Sequence, residues 1–102
     1  MPRPAYFVFD STILNFDGMK PYLAEVDATV AAFGGERLVL GGRLFPVEGT
    51  APKGVFVVLR FPDLATANAW YESPAYRAIL GHRLAAAQTD AWVVEGWAPA
   101  AE

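Results

Sequence analysis

The stretch Val55–Phe61 reads VFVVLRF and decides the fold, because it is apolar on both of its alternating faces until Arg60. A strand of an antiparallel sheet with one face in water normally alternates apolar and polar residues. This strand does not, so both faces of its sheet must be covered. A chain of 102 residues has enough length for one domain and a modest core. We therefore expect the second face to be covered by another molecule.

The composition agrees with this expectation. Hydrophobic residues make up 54% of the chain and charged residues 19%, whereas an average globular domain has about a quarter charged residues. A short chain has little interior in which to bury this apolar excess. Burial between two identical subunits is the common solution, and we predict a homodimer.

The first half of the chain predicts a strand, a helix and a strand. Tyr6–Ser11 is aromatic and β-branched, which is typical of a strand. An apolar stripe at helical spacing follows, with Asp17 as the expected N-cap and Gly34-Gly35 as the stop. Glu36–Glu48 then reads as a second strand, with a bulge or close backbone approach expected at Gly41-Gly42.

The second half predicts a strand, a helix and a strand. Val55–Phe61 is the third strand, and Asp63 is the expected cap of a helix over Leu64–Glu72. Ser73-Pro74 restarts that helix, since serine is a preferred N-cap and proline a preferred first helical residue. Asp90–Trp97 is the fourth strand.

This β-α-β-β-α-β order indicates a ferredoxin-like α+β sandwich, with a four-stranded antiparallel sheet and both helical segments on one face. Right-handed crossovers give the strand order 4-1-3-2. Residues 1–97 are predicted to form the single domain and residues 98–102 a short tail. Two subunits closing helix-free face to helix-free face would form a dimeric α+β barrel.

Composition excludes several classes of function. The chain has no cysteine and one histidine, so we expect no disulfide, no metal site and no cofactor. The net charge is −3 without a basic face, and the third strand lacks the exposed aromatics with basic flanks of RNA-recognition modules, so nucleic acid is not an expected partner. No apolar run reaches the roughly 18 residues of a membrane span, and no signal peptide is visible. A cytoplasmic location is the default expectation.

Several segments together resemble the bacterial domain-of-unknown-function family 1330. They are Phe33-Gly34-Gly35, Leu38–Gly42, Val47-Glu48-Gly49, Arg60-Phe61-Pro62, Ala69–Tyr76, Arg83, Asp90 and Val94-Glu95-Gly96. The resemblance implies a ferredoxin-like subunit in a dimeric α+β barrel and implies no established reaction. Families on the same barrel include cofactor-independent monooxygenases, muconolactone isomerase and stress-responsive proteins, whose chemistry a shared fold does not transfer.

The predicted topology brings ionisable residues to one rim of the sheet. His82 and Asp90 are the candidate acid–base pair, because a carboxylate on one imidazole nitrogen orients the ring and raises its pKa. The competing interpretation of His82 is a surface residue near a helix end. Asp10 is a candidate base if it faces a cavity, and a solvated turn residue if it lies at the strand end.

Four other residues are candidates for ligand binding. Arg83 either forms an ion pair with Glu48 or holds a substrate carboxylate through two hydrogen bonds. Tyr76 either offers its phenol to a ligand or packs in the core. Arg60, expected beside Gly41-Gly42, needs either a protein acid or a ligand anion if it is buried.

Two functions follow from these residues. One is a homodimer that binds a small hydrophobic or aromatic acid in a cavity between sheet and helices. The other is a cofactor-independent isomerase, lyase or monooxygenase that uses the acid–base residues of the rim.

Overall fold

The computed structural model of the chain describes residues 3–97. Its elements are β1 (Ala5–Ile13), α1 (Phe16–Ala32), β2 (Glu36–Leu40), β3 (Val55–Phe61), α2 (Leu64–Glu72), α3 (Pro74–Ala86) and β4 (Ala87–Glu95). The strands form one antiparallel sheet in the order β2-β3-β1-β4. The expected ferredoxin-like fold and strand order are confirmed. The expected tail, residues 98–102, lies outside the described residues.

The three helices cover one face of the sheet. Alternate residues of β1, among them Phe7 and Phe9, are buried beneath the helices, while Tyr6 and Val8 on the opposite face are only half-buried. Trp70 of α2 is fully buried and lies 5.2 Å, between ring centroids, from Phe7. The contacts of Trp70 with Phe7, Phe9 and Phe61 hold α2 against the sheet.

Local sequence explains how the second and third helices begin. The Asp63 side chain accepts a hydrogen bond of 2.7 Å from the amide of Thr66, and this bond lowers the pKa of the Asp63 carboxyl. The Ser73 hydroxyl accepts from the amide of Tyr76 at 3.2 Å and donates to the carbonyl of Trp70 at 2.7 Å. Both predicted caps are confirmed, and Ser73 separates α2 from α3.

The first helix begins earlier than the sequence predicted. Asn15, not Asp17, is the N-cap, and its side chain accepts a hydrogen bond of 3.1 Å from the amide of Gly18. Asp17 lies in the first turn and forms an ion pair with Lys20. Both residue types favour the cap position, so the two alternatives could not be separated by composition. Gly34 follows the helix with φ +70°, as the predicted stop requires.

The second strand is much shorter than predicted. β2 ends at Leu40, and residues 41–54 form no further strand. The register shift lies between Arg37 and Val39 rather than at the glycine pair. Arg60 therefore lies opposite Glu36 and not beside Gly41-Gly42, so the expected position of Arg60 was wrong. β4 also differs, since it begins at Ala87 and not at Asp90.

Among the described residues, no helix combines the length and the apolar character needed to cross a membrane.

Candidate functional site

A cavity of about 290 Å³ lies between α1 and the helix-covered face of the sheet. Its walls are almost entirely apolar. The lining residues are Phe9, Ser11, Ile13, Phe16, Met19, Tyr22, Leu23, Val26, Arg37, Leu40, Val55, Val57, Leu59 and Arg83. The cavity is at the lower end of the range for small-molecule sites, which is roughly 300–1,000 Å³. It therefore has room for a small apolar molecule.

Arg83 is the most unusual residue of this cavity. It lies on the inner side of α3 and is 4% exposed. Its guanidinium carbon lies 5.5 Å from the ring centroid of Phe9 and 5.7 Å from that of Tyr22. Within residues 3–97 it forms no salt bridge, and its Nε is buried without a hydrogen-bond partner. A buried cation without an acid is costly unless an anion reaches it.

Two tyrosines connect Arg83 to the first helix. The Arg83 Nη2 donates to the Tyr76 phenol oxygen at 3.4 Å, and the phenol oxygens of Tyr76 and Tyr22 lie 2.8 Å apart. The guanidinium has no acceptor atom, so the direction of its bond is fixed. Tyr76 is fully buried and does not line the cavity, whereas Tyr22 does.

Either phenol can be the donor of the tyrosine–tyrosine bond, and burial favours one of the two directions. If Tyr22 donated to Tyr76, the Tyr76 proton would have no acceptor within the described core, and an unpaired buried donor costs about 1–3 kcal/mol. If Tyr76 donates to Tyr22, the Tyr22 proton is free to donate into the cavity. The second arrangement satisfies Tyr76 and places a phenol O–H beside the Arg83 guanidinium.

Both donors at the cavity, Tyr22 and Arg83, keep their protons near neutral pH. Burial raises the pKa of Tyr22 far above its ordinary value of 10.0, with a further increase from neighbouring Tyr76, so Tyr22 stays protonated. Burial by itself lowers the pKa of Arg83, but the phenol oxygens of Tyr76 and Tyr22 outweigh it and raise that pKa overall. Arg83 and Tyr22 are therefore a cation and a neutral donor, both suited to an oxygen anion.

Arg37 is the second arginine of the cavity. It lies near the start of β2, opposite Leu59, and forms an ion pair with Asp27 of α1 through Nη2. Its Nε, like that of Arg83, is buried without a partner among the described residues. The cavity thus has one uncompensated guanidinium and one that a carboxylate already neutralises.

The chemistry of the lining favours binding over proton transfer. No aspartate, glutamate or histidine is among the lining residues that the structure describes. The ionisable groups are two arginines, whose guanidinium groups only donate hydrogen bonds, and Tyr22, whose proton is held by burial. Such a site can hold and orient an anion but offers no base in its walls. Within residues 3–97, no cluster of three potential metal-binding side chains is present either.

Two of the predicted site residues, Arg83 and Tyr76, come together at this cavity. Glu48 does not reach them, because it is exposed in the segment after β2 and forms no salt bridge among residues 3–97. The expected Arg83–Glu48 ion pair is absent from the described structure. Tyr76 is core-packed, as the simpler interpretation had it, and contacts the cavity only through Tyr22.

The predicted acid–base residues lie elsewhere. His82 is exposed on α3, and no hydrogen bond joins it to Asp90 in the part of the chain described. Asp90 lies directly opposite Asp10 in the β1–β4 pairing, on the helix-free face. Asp10 accepts two backbone hydrogen bonds, from Lys53 at 2.9 Å and Gly54 at 2.8 Å. These bonds hold the end of the 41–54 segment against β1.

Arg60 is also on the helix-free face. It forms a hydrogen-bonded ion pair of 2.8 Å with Glu36 on the neighbouring strand, and its side chain is 48% exposed. It is thus paired with a protein acid and has no contact with the cavity.

Tyr22 and Arg37 were not singled out from the sequence. A signal for Tyr22 was present, since it lies three residues after Met19 and four before Val26 and so belongs to the buried stripe of α1. For Arg37 no local signal exists, because only the packing of α1 against β2 brings the cavity to it.

A family comparison covers nearly all of the described chain. The model of the family "Domain of unknown function (DUF1330)" matches residues 4–97. The chain belongs to this family. The resemblance stated from the sequence is therefore confirmed. No curated protein matches the chain.

Solved structures show the same fold as this DUF1330 chain at low sequence identity. The RPA0582 protein of unknown function from Rhodopseudomonas palustris is 14% identical with a TM-score of 0.77, over 97% of this chain and 86% of that one. SnoaB, a cofactor-independent oxygenase from Streptomyces nogalater, is 12% identical with a TM-score of 0.62, over 98% and 99%. A Bacteroides thetaiotaomicron protein described as a possible oxidoreductase is 9% identical with a TM-score of 0.58, over 94% and 100%. At such identities the likeness concerns the fold alone.

Proposed function

We propose that this protein binds a small hydrophobic or aromatic carboxylic acid in the cavity between α1 and the sheet. One observation carries the proposal: Arg83 is 4% exposed in an apolar cavity, and its Nε has no partner among the described residues. A ligand carboxylate would supply the missing anion, and the Tyr22 O–H would donate to the same carboxylate. The apolar walls would enclose the rest of the ligand.

Calorimetric titration with phenylacetate tests this proposal, with 2-phenylethanol as the analogue that lacks the carboxylate. Wild-type protein is expected to bind the acid saturably and to bind the alcohol at least about tenfold more weakly, since a charge-assisted hydrogen bond contributes about 1.5–3 kcal/mol. Arg83→Met should abolish the preference for the acid. Arg77→Met is the matched control, because Arg77 forms an exposed ion pair with Glu72 and does not line the cavity. Equal binding of acid and alcohol, or equal affinity in Arg83→Met, would refute the proposal.

A second copy of the chain is the proposed cover of the helix-free face. Along the middle of this face Val8, Val58 and Trp92 lie side by side, and Trp92 is 53% exposed. Polar pairs lie at the two ends, Arg60 with Glu36 and Asp10 with Asp90. An apolar centre with a polar rim is the usual arrangement of a protein–protein interface. A homodimer closed through this face would bury what one subunit leaves in water.

An enzyme is the alternative function, and the fold of the oxygenase SnoaB motivates it. In this alternative the bound acid would be the substrate of a cofactor-independent isomerase, lyase or monooxygenase, with His82, Asp90 and Asp10 as acid–base residues. Binding has the better support, because none of the three lines the cavity. Recovery of the bound acid unchanged from aerated solution supports binding. Turnover with a pH–rate profile that shifts in His82→Ala or Asp90→Asn supports the enzyme.

A further inference from the structure

Resting on the proposed function, we infer that Arg37 is a second ligand-binding residue, and that the ligand has a neutral oxygen acceptor in addition to its carboxylate. The class of ligand is then an apolar oxo acid or hydroxy acid, not a simple hydrocarbon acid. The inference depends on the two arginines that line one cavity and on the difference between their surroundings.

The backbone places Arg37 on the cavity side of the sheet. It pairs with Leu59, which lines the cavity, and it precedes the register shift that displaces the rest of β2. Its side chain is 24% exposed, compared with 48% for Arg60 and 43% for Arg77. Arg37 is therefore the most buried of these three ion-paired arginines, and among the three it is the one that lines the cavity.

The ion pair with Asp27 satisfies only some of the hydrogen-bond donors of the Arg37 guanidinium. Asp27 accepts from Nη2, while Nε is buried and without a partner in the described chain. A buried N–H without an acceptor is uncommon in folded proteins, because burial removes its hydrogen bond to water and the loss costs free energy unless another acceptor replaces it. An oxygen atom of a bound ligand would satisfy it.

The charge of Asp27 determines which oxygen fits. Arg83 has no carboxylate partner among the described residues, so a ligand anion beside it neutralises a buried charge. Arg37 is already neutralised by Asp27, and a second carboxylate there would be repelled by the Asp27 carboxylate. A carbonyl or hydroxyl oxygen accepts the Nε hydrogen bond without this repulsion. The two arginines that line the cavity therefore differ in the group that each accepts.

A series of straight-chain acids tests the inference, because the chain length sets the distance between the carboxylate and the second oxygen of the ligand. Each alkanoate from hexanoate to nonanoate is compared by calorimetry with its methyl-ketone analogue of equal length, such as octanoate with 7-oxooctanoate, and with the diacid suberate. At the best length, wild-type protein should bind the oxo acid about tenfold more tightly than the alkanoate. Suberate should bind no more tightly than the oxo acid.

The variants separate this inference from the proposed function. Arg37→Met should reduce the preference for the oxo acid over the alkanoate of equal length to within about twofold, while the control Arg77→Met keeps the preference. If alkanoates bind through Arg83 but oxo acids gain nothing at any length, or if Arg37→Met keeps the preference, the inference is wrong and the proposed function stands. If no acid binds wild-type protein, or if Arg83→Met binds every acid as well as wild type, both fail.

Discussion

The phenol oxygens of Tyr22 and Tyr76 lie 2.8 Å apart in the core, although the two residues are separated by 54 positions in the sequence. This bond joins α1 to α3 and places the Tyr22 O–H at the cavity, beside the Arg83 guanidinium. One buried hydrogen bond thus both connects the helices and orients a donor for the proposed ligand.

Removing either phenol should destabilise the protein. Tyr76→Phe leaves Arg83 Nη2 without its acceptor, and Tyr22→Phe leaves the Tyr76 proton unpaired, so each should lower the free energy of unfolding by about 1–3 kcal/mol. The double variant should lose less than the sum, because both single changes break the same bond. Urea unfolding at one fixed protein concentration measures all three. Strictly additive losses would show that the two phenols do not interact.

High pH should destabilise the fold through Tyr22. Its pKa is raised above the ordinary value of 10.0 by burial, so above about pH 10 the unfolded chain releases a proton that the folded chain keeps. The contribution is complete below pH 10 and is lost as the pH rises further. Urea unfolding between pH 8 and pH 11 should show a smaller decline in Tyr22→Phe than in wild type. Equal declines would contradict the burial of this phenol.

Arg83→Met should cost little or no stability in the ligand-free protein. The substitution removes an uncompensated charge from an apolar site and replaces it with a side chain of similar length, which is often neutral or stabilising. We expect the free energy of unfolding to stay within about 1 kcal/mol of wild type or to rise. A loss of several kcal/mol in urea unfolding would mean that the contacts of Arg83 with Tyr76, Phe9 and Tyr22 stabilise the fold more than its buried charge destabilises it.

A charge on the helix-free face should prevent dimer formation. Trp92→Arg places a cation in the middle of the proposed interface, whereas Leu84→Arg changes an apolar residue of α3 that is at least as exposed and serves as the control. Light scattering coupled to size-exclusion chromatography should report a dimer for wild type and Leu84→Arg and a monomer for Trp92→Arg. A monomeric wild type at micromolar concentration would refute the proposed dimer.

Much of the fold could be predicted because its signals are local. The strand Val55–Phe61 has its predicted bounds, and the Ser73-Pro74 restart needs only neighbouring residues. The strand order followed from handedness rules that do not depend on side chains. The end of β2 could not be predicted, since Leu44, Phe45 and Val47 continue the apolar character of the segment after Leu40 without pairing with a neighbouring strand. In this segment the hydrophobic pattern is the same for a paired strand and for an unpaired stretch, so it cannot distinguish the two.

The site was predicted only in part, because it depends on contacts between distant segments. Arg83 and Tyr76 lie on one helix and could be named from the sequence. Their actual partner, Tyr22, comes from α1, and Arg37 comes from β2. His82 and Asp90 were predicted to act together because the ends of their elements lie at the same rim of the sheet. In the structure His82 is on α3, whereas Asp90 is on the helix-free face, since successive side chains of a strand point to opposite faces.

The proposed binding of a carboxylate by Arg83 is tested most directly by nuclear magnetic resonance, in which the Arg83 Nε–H resonance is followed during titration with phenylacetate. This N–H is buried and has no partner among residues 3–97, so a bound carboxylate must change its environment. The account predicts a saturable shift of the Arg83 Nε–H resonance, absent with 2-phenylethanol. Saturable binding of phenylacetate that leaves this resonance unmoved would contradict it.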